Sequence, residues 1–162
     1  MSHMQSYIQP DLSDARLATA RRYQMLIGGK SVDAQSGKVI ERQSPGHVGK
    51  TVGVWPEASA EDVKLAVGAA REAFDTGPWP RMSGAERSTI MLHIAQKIVD
   101  HADELALAEC LEVGKPISQA KGEILYCADL WTYAAGQARA LEGQSHNNIG
   151  DDRLGLVLRE PV

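Results

Sequence analysis

The stretch SQAKGEILYCADLWTYAAGQARALE, residues 118–142, carries the most regular apolar pattern of the chain. Ala120, Ile124, Cys127, Trp131, Ala134, Ala138 and Leu141 follow one another in alternating steps of four and three, the spacing that gathers side chains on one side of an α-helix. The spacing predicts one long helix from about Ser118 to Glu142, closed at Gly143. Its seam is built mostly of small residues, so a neighbouring helix or sheet can lie close against it, and Cys127 is expected there as a buried structural thiol.

The elements that could cover this seam stand before it in the chain. HADELALAECLEV, residues 101–113, reads as a helix burying Leu105, Ala108 and Leu111, stopped by Gly114 with Pro116 just beyond. Ser83 with Glu86, and Ser59 with Asp62, each fit a capping box, in which a hydroxyl and a carboxylate accept backbone N–H groups that lack a helical partner. The helix after Ser83 is expected to bury Ile90, Met91, Ile94 and Ile98 and to run to about Asp100. The helix after Ser59 carries Val63, Val67, Ala70 and Phe74 on one face and stops near Gly77-Pro78.

The first third reads as strand and turn. In YQMLIGGKSVDA the pair Gly28-Gly29 tolerates the positive φ angles of a two-residue hairpin turn. Ser36-Gly37 turns the chain into KVIERQ, and TVGVW, Thr51 to Trp55, is a further extended piece ended by Pro56. Asp11 to Arg22 has little apolar surface and is expected as an arm. After the last helix, QSHNNIGDD reads as polar loop and RLGLVLRE as a strand. Strands at both ends of a helical middle find few local partners, and the strand–helix repeats of a doubly wound sheet are missing. The pattern describes an unfinished core.

Composition narrows the function classes. With 17 Lys and Arg against 21 Asp and Glu, spread without a basic stripe, nucleic acid is not an expected partner. No apolar run approaches the roughly 20 residues that cross a bilayer, and no membrane association is expected. Met1-Ser2-His3-Met4 reads as vector-derived, with Met4 the native start. Cys110 and Cys127 form no Cys-x-x-Cys, which fits reduced thiols in the cytoplasm.

The chemical motifs are weak. Gly46-His47-Val48-Gly49-Lys50-Thr51 ends like a phosphate loop, but Ser44 stands where its first glycine belongs and Thr51 leads into a strand, so an exposed turn is expected. Cys110 lies between Glu109 and Glu112, whose charge opposes a thiolate. His47, His93, His101 and His146 fall on separate elements without metal spacing, and Trp55, Trp79 and Trp131 are too dispersed for a stacking platform and read as packing residues.

Four stretches in order nevertheless carry a resemblance. MLIGGKSVDAQSGKVIERQSP is similar to the hairpin that opens the cofactor-binding domain of the aldehyde dehydrogenases. SAEDVKLAVGAAREAFDTGPWPRMSGAERSTIMLHIAQKIVDHADELA resembles the first helices of that domain, LALAECLEVGKP resembles the Leu-Glu-x-Gly-Lys-Pro stretch, and EILYCADLWTYAAGQARALEG resembles the long helix with a Tyr-x-Ala-Gly core. The closing LGLVLREPV looks like the first strand of the oligomerisation flap.

The resemblance implies an α/β parent enzyme that oxidises an aldehyde to a carboxylate with NAD or NADP, using a cysteine thiolate, hydride transfer and a glutamate base. It also implies that those residues lie downstream, so no catalytic and no cofactor-binding residue is assigned within 1–162, and no cofactor is expected to bind this segment alone. The segment divides into leader 1–4, arm 5–22, the hairpin and helical part of an incomplete cofactor-binding domain at 23–150, and the start of the oligomerisation strand at 151–162. Implied partners are the remainder of the polypeptide or enzyme subunits in a homodimer or homotetramer. Members of the family often hold a monovalent cation near the acidic residue before Gly-Lys-Pro, and that position here is Glu112. Ser44-Pro45 replaces the usual Asn-Pro. The competing readings are a truncated paralogue that pairs with a full-length subunit through the 153–160 strand, and a plain helical domain that folds alone.

Overall fold

A computed structural model describes residues 20–160. The expected leader, and the arm as far as Thr19, lie outside them. The last two arm residues form β1 (Arg21–Arg22), which runs parallel to Gly53–Val54 of β5 (Thr51–Pro56), so this end of the arm is a strand. β4 (Val39–Gln43) pairs antiparallel on the other side of β5, giving the order β1-β5-β4. β2 (Met25–Ile27) and β3 (Lys30–Val32) make the expected hairpin, with Ile27 opposite Lys30 and both Gly28 and Gly29 at positive φ.

Four helices follow. α1 (Ala60–Thr76) and α2 (Gly84–Asp100) start at Ser59 and Ser83, and both capping boxes are complete. A short 3-10 turn at Trp79–Arg81 links them. α3 (Ala102–Val113) follows α2 through His101, which caps both. It ends at Gly114, whose φ of 75° is left-handed, and Pro116 caps α4 (Ile117–Gln137).

α4 packs on both α2 and α3, and its fully buried residues are Ala120, Ala128 and Ala135. The contact line therefore begins at Ala120, as predicted, and from there runs beside the predicted seam. Ile124, Trp131, Ala134 and Ala138 are half-buried flanks, and Cys127 is exposed, which corrects the expectation that it is buried. Two helices that approach closely must meet across side chains with little volume, and the larger apolar residues fill the grooves to either side. Leu141 falls beyond the end of α4 and is exposed.

Two further apolar expectations change. Leu105 is exposed and Ala108 half-buried, while Leu111 is buried as expected; Ala102, Ala106 and Cys110 complete the buried line of α3. On α1, Val63, Val67 and Phe74 are all exposed because no described element lies over that face. At the end of the described chain, β6 (Gln144–His146) pairs antiparallel with β7 (Gly155–Val157), so part of the expected loop is a strand and the terminal strand is shorter than predicted. No helix of the described residues is long and apolar enough to cross a membrane.

Candidate functional site

Charged groups and a chain turn meet where α3 ends. Gly114 reverses the chain, and its Cα faces Pro45 so closely that a Cβ would come within 3.1 Å of the proline Cγ. The end of the α3 helix is thus held against the loop leaving β4. Lys115, next in the chain, donates to Glu109 on α3 and to Glu123 on α4, clipping the two helices across the turn. The bond to Glu109 and then the bond to Glu123 hold the Lys115 ammonium above the usual lysine range, and the Glu123 carboxyl is lowered in return, chiefly by Lys115.

Glu112, to which the family resemblance points for a monovalent cation, is half-buried in the last turn of α3. Its backbone carbonyl accepts two bonds from the Arg42 guanidinium of β4, at 3.3 Å from Nε and 3.0 Å from Nη2. Arg42 had no role in the sequence reading, where it was one residue of a strand. The residues lie 70 positions apart. The only local signal is that α3 has no basic residue in its own last turn, which leaves its terminal carbonyls to be satisfied from elsewhere.

An open groove of about 590 Å³ lies alongside, between Arg21, Tyr23 and Val52 on the sheet side and Leu107, Leu111 and Lys121 on the helices. Ion pairs of 2.6 Å, Arg21–Glu104 and Lys121–Asp103, stand at its edge. Bonds from Arg21 first, and then His101, lower the Glu104 carboxyl. Tyr23 stacks on Trp55 with ring centroids 4.7 Å apart, which ties β1 to β5. The four charges of these two pairs thus tie the sheet side to the helices and the helices to one another.

The remaining candidates are placed as follows. Cys110 is 1% exposed, and burial pushes its thiol up, away from a reactive thiolate. Gly46–Lys50 lies in a closed turn: the Ser44 N–H donates to the Lys50 carbonyl at 2.9 Å, and the Lys50 N–H donates back to the His47 carbonyl at 3.0 Å. Thr51 then opens β5, so no helix starts from this turn as it does from a phosphate loop. His47 Nδ1 lies 3.3 Å from the Ser44 hydroxyl, and His101 Nδ1 lies 3.3 Å from Glu104. Trp55 and Trp131 are half-buried as expected, whereas Trp79, on the 3-10 turn, is 43% exposed. Among the described residues no three His, Cys, Asp or Glu gather as a metal site.

The family model described as the aldehyde dehydrogenase family matches residues 31–162. The chain belongs to the aldehyde dehydrogenase family. It is 43% identical over 86% of its length to the mitochondrial aldehyde dehydrogenase family 2 member B4 of Arabidopsis thaliana, of which it covers 26%. It is 31% identical over 87% of its length to the NADP(+) succinate-semialdehyde dehydrogenase of Escherichia coli, of which it covers 29%. Among solved structures, the NAD-dependent aldehyde dehydrogenase of Sinorhizobium meliloti superposes with a TM-score of 0.89 at 71% identity, over 95% of this chain and 31% of that one. The chain thus spans less than a third of the length of these relatives, and its four helices with partial sheets form an incomplete α/β domain of the aldehyde dehydrogenase type.

Proposed function

We propose that this chain is scaffold in the cofactor-binding domain of an NAD(P)-dependent aldehyde dehydrogenase and carries none of the reacting groups itself. The observation that carries the reading is the 71% identity, over nearly the whole chain, to a structure described as an NAD-dependent aldehyde dehydrogenase. The division follows the sequence: residues 23–150 build the hairpin and helical part, and 151–162 begin the strand used in subunit pairing, in a homodimer or homotetramer. The cytoplasm is the proposed compartment, although three plant relatives carry mitochondrial in their names.

In the complete enzyme the cofactor would supply the hydride acceptor for aldehyde oxidation to a carboxylate. This chain's own residues support a different duty. Lys115 fixes the angle between α3 and α4, Arg42 fastens β4 to the end of α3, and Tyr23 on Trp55 fastens β1 to the same sheet. In the Gly46–Lys50 turn the His47 and Lys50 N–H groups are taken up by the Ser44 and His47 carbonyls, and no nucleotide contact is assigned to it.

A chimera tests the reading. Replacing the matching stretch of the Sinorhizobium meliloti enzyme with this chain is expected to give a soluble protein that reduces NAD+ with aldehydes, while the isolated 162-residue chain reduces neither NAD+ nor NADP+. A folded but inactive chimera would count against the family role. Turnover by the isolated chain that Cys110→Ala abolishes would overturn the scaffold assignment.

A further inference from the structure

The seam between α2 and α4 opens at one end into a second groove, of about 330 Å³. α2 starts there hard against the end of α4, since a Cβ on Gly84 would come within 2.3 Å of the Ala138 carbonyl oxygen. Met91, Trp79, Tyr133 and Leu141 supply apolar wall, and Arg87, in the first turn of α2, is the one charged residue of the lining. Among the described residues its Nε is the one buried side-chain nitrogen or oxygen without a hydrogen-bond partner. None of their ion pairs includes Arg87 either.

The acceptors beside it are engaged elsewhere. The Glu86 carboxylate, next in the chain, accepts the Ser83 N–H at 2.7 Å and the Ser83 hydroxyl at 2.8 Å. On the α4 side the Ala134 carbonyl accepts the Ala138 N–H at 2.9 Å, and the Gln137 carbonyl accepts the Ala140 N–H at 3.0 Å. A buried N–H without an acceptor costs stability, so folded proteins leave few of them. A guanidinium carries fixed charge and presents Nε–H and one Nη–H as a parallel pair, which a carboxylate fits side on with two bonds. No acidic residue lines the groove, so the counterpart has to come from outside the described residues. The apolar surface around Arg87 says what carries it. Tyr133 is 67% exposed and Leu141 64%. A free small acid would pair with Arg87 and leave these two wet, whereas a length of polypeptide with an apolar residue beside its acid covers both. The proposed function supplies such polypeptide, since the chain covers 31% of the Sinorhizobium meliloti enzyme that it matches at 71% identity.

We propose that the α2–α4 groove is a docking site for the remainder of the enzyme's polypeptide, which places an Asp or Glu carboxylate on the Arg87 guanidinium and an apolar neighbour against Tyr133 and Leu141. The inference rests on the reading of this chain as one part of a larger aldehyde dehydrogenase.

The test compares Arg87→Met with the wild type in two settings, the isolated 162-residue chain and its chimera with the rest of the Sinorhizobium meliloti enzyme, by thermal midpoints from circular dichroism. In the isolated chain the substitution removes a buried donor that lacks an acceptor, and the midpoint is expected to rise. In the chimera it strands the docked carboxylate, and the midpoint is expected to fall by several degrees. A midpoint that falls or stays level in the isolated chain would place the counter-charge within residues 1–162 or on a second copy, and overturns the proposal. A chimera that melts unchanged or higher does the same. In a crystal structure of the wild-type chimera, an Asp or Glu from beyond the matched stretch is expected on the Arg87 Nε; a water, a backbone carbonyl or a free acid there overturns the proposal. Turnover by the chimera reads the family role separately. An active chimera without the reversal sinks the docking alone, and an inactive one that shows it counts against the family role alone. Should the chimera not fold, the isolated-chain midpoint decides by itself, a rise supporting the proposal and any other result overturning it.

Discussion

Gly114 and Asp62 show how much one residue can decide in this chain. A side chain at Gly114 would have to adopt a left-handed φ of 75° and would press on Pro45 at 3.1 Å. Gly114→Ala is expected to cost about 1–2 kcal/mol, the usual penalty of that conformation for a residue with a Cβ, as read from urea unfolding. An unchanged midpoint would mean that the turn has another geometry. Asp62 is 3% exposed, and its carboxylate accepts the Ser59 N–H and hydroxyl at 2.8 Å each and the Gln35 N–H at 3.3 Å. The Ser59 backbone bond, followed by its hydroxyl bond, lowers the carboxyl below its ordinary 3.8. A carboxyl lowered by folding stabilises fully above its ordinary value, and the contribution fades as pH falls through the lower, folded-state value. Asp62→Asn should therefore destabilise at neutral pH, and the gap from wild type should narrow as acid is added. Urea midpoints across that range measure the gap, and one independent of pH would exclude the charged bonds as its source.

Among the elements, α4 separates two accounts of its buried face. The apolar pattern picks out Cys127, whereas in the folded chain Ala128 and Ala135 are buried and Cys127 is exposed. Ala135→Leu forces added volume between α4 and its neighbours and is expected to cost about 1–3 kcal/mol. Cys127→Leu, on the open side, is expected to stay within about 0.5 kcal/mol of wild type by the same urea measurement. The reverse ranking would restore the seam drawn from the sequence. What the sequence made legible was local: both capping boxes, the Gly28-Gly29 hairpin and the stop at Gly114 each depend on residues within a few positions. The faces of the helices were read less well. Which side of α3 or α4 is covered depends on the other helices, and hydrophobicity marks the large residues flanking a contact more strongly than the alanines at its centre. Arg42 on Glu112, the central contact of the candidate site, was beyond reach for the same reason, since no local pattern links a strand residue to a helix end 70 positions later.

At the scale of the whole molecule, the described core is thin. Its fully buried apolar residues are alanines with Cys110 and Leu111, while Val67 of α1 is 63% exposed and Leu156 of β7 is 61% exposed. Apolar surface of this extent is the mark of an interface, and in a chain covering less than a third of its relatives' length the proposed cover is the rest of such an enzyme. The isolated chain should then bind a hydrophobic dye such as ANS and self-associate as concentration rises, seen by light scattering. Val67→Glu combined with Phe74→Glu puts two charges on the open face of α1 and should reduce both signals while leaving helical circular dichroism unchanged. The same pair in the chimera with the Sinorhizobium meliloti enzyme should do the opposite, lowering the yield of soluble active enzyme, because a face that is free in the isolated chain would there be covered and the charges stranded. Equal tolerance in both settings would show that α1 faces solvent throughout, and the cover would then have to be sought on α4 or the β6–β7 hairpin.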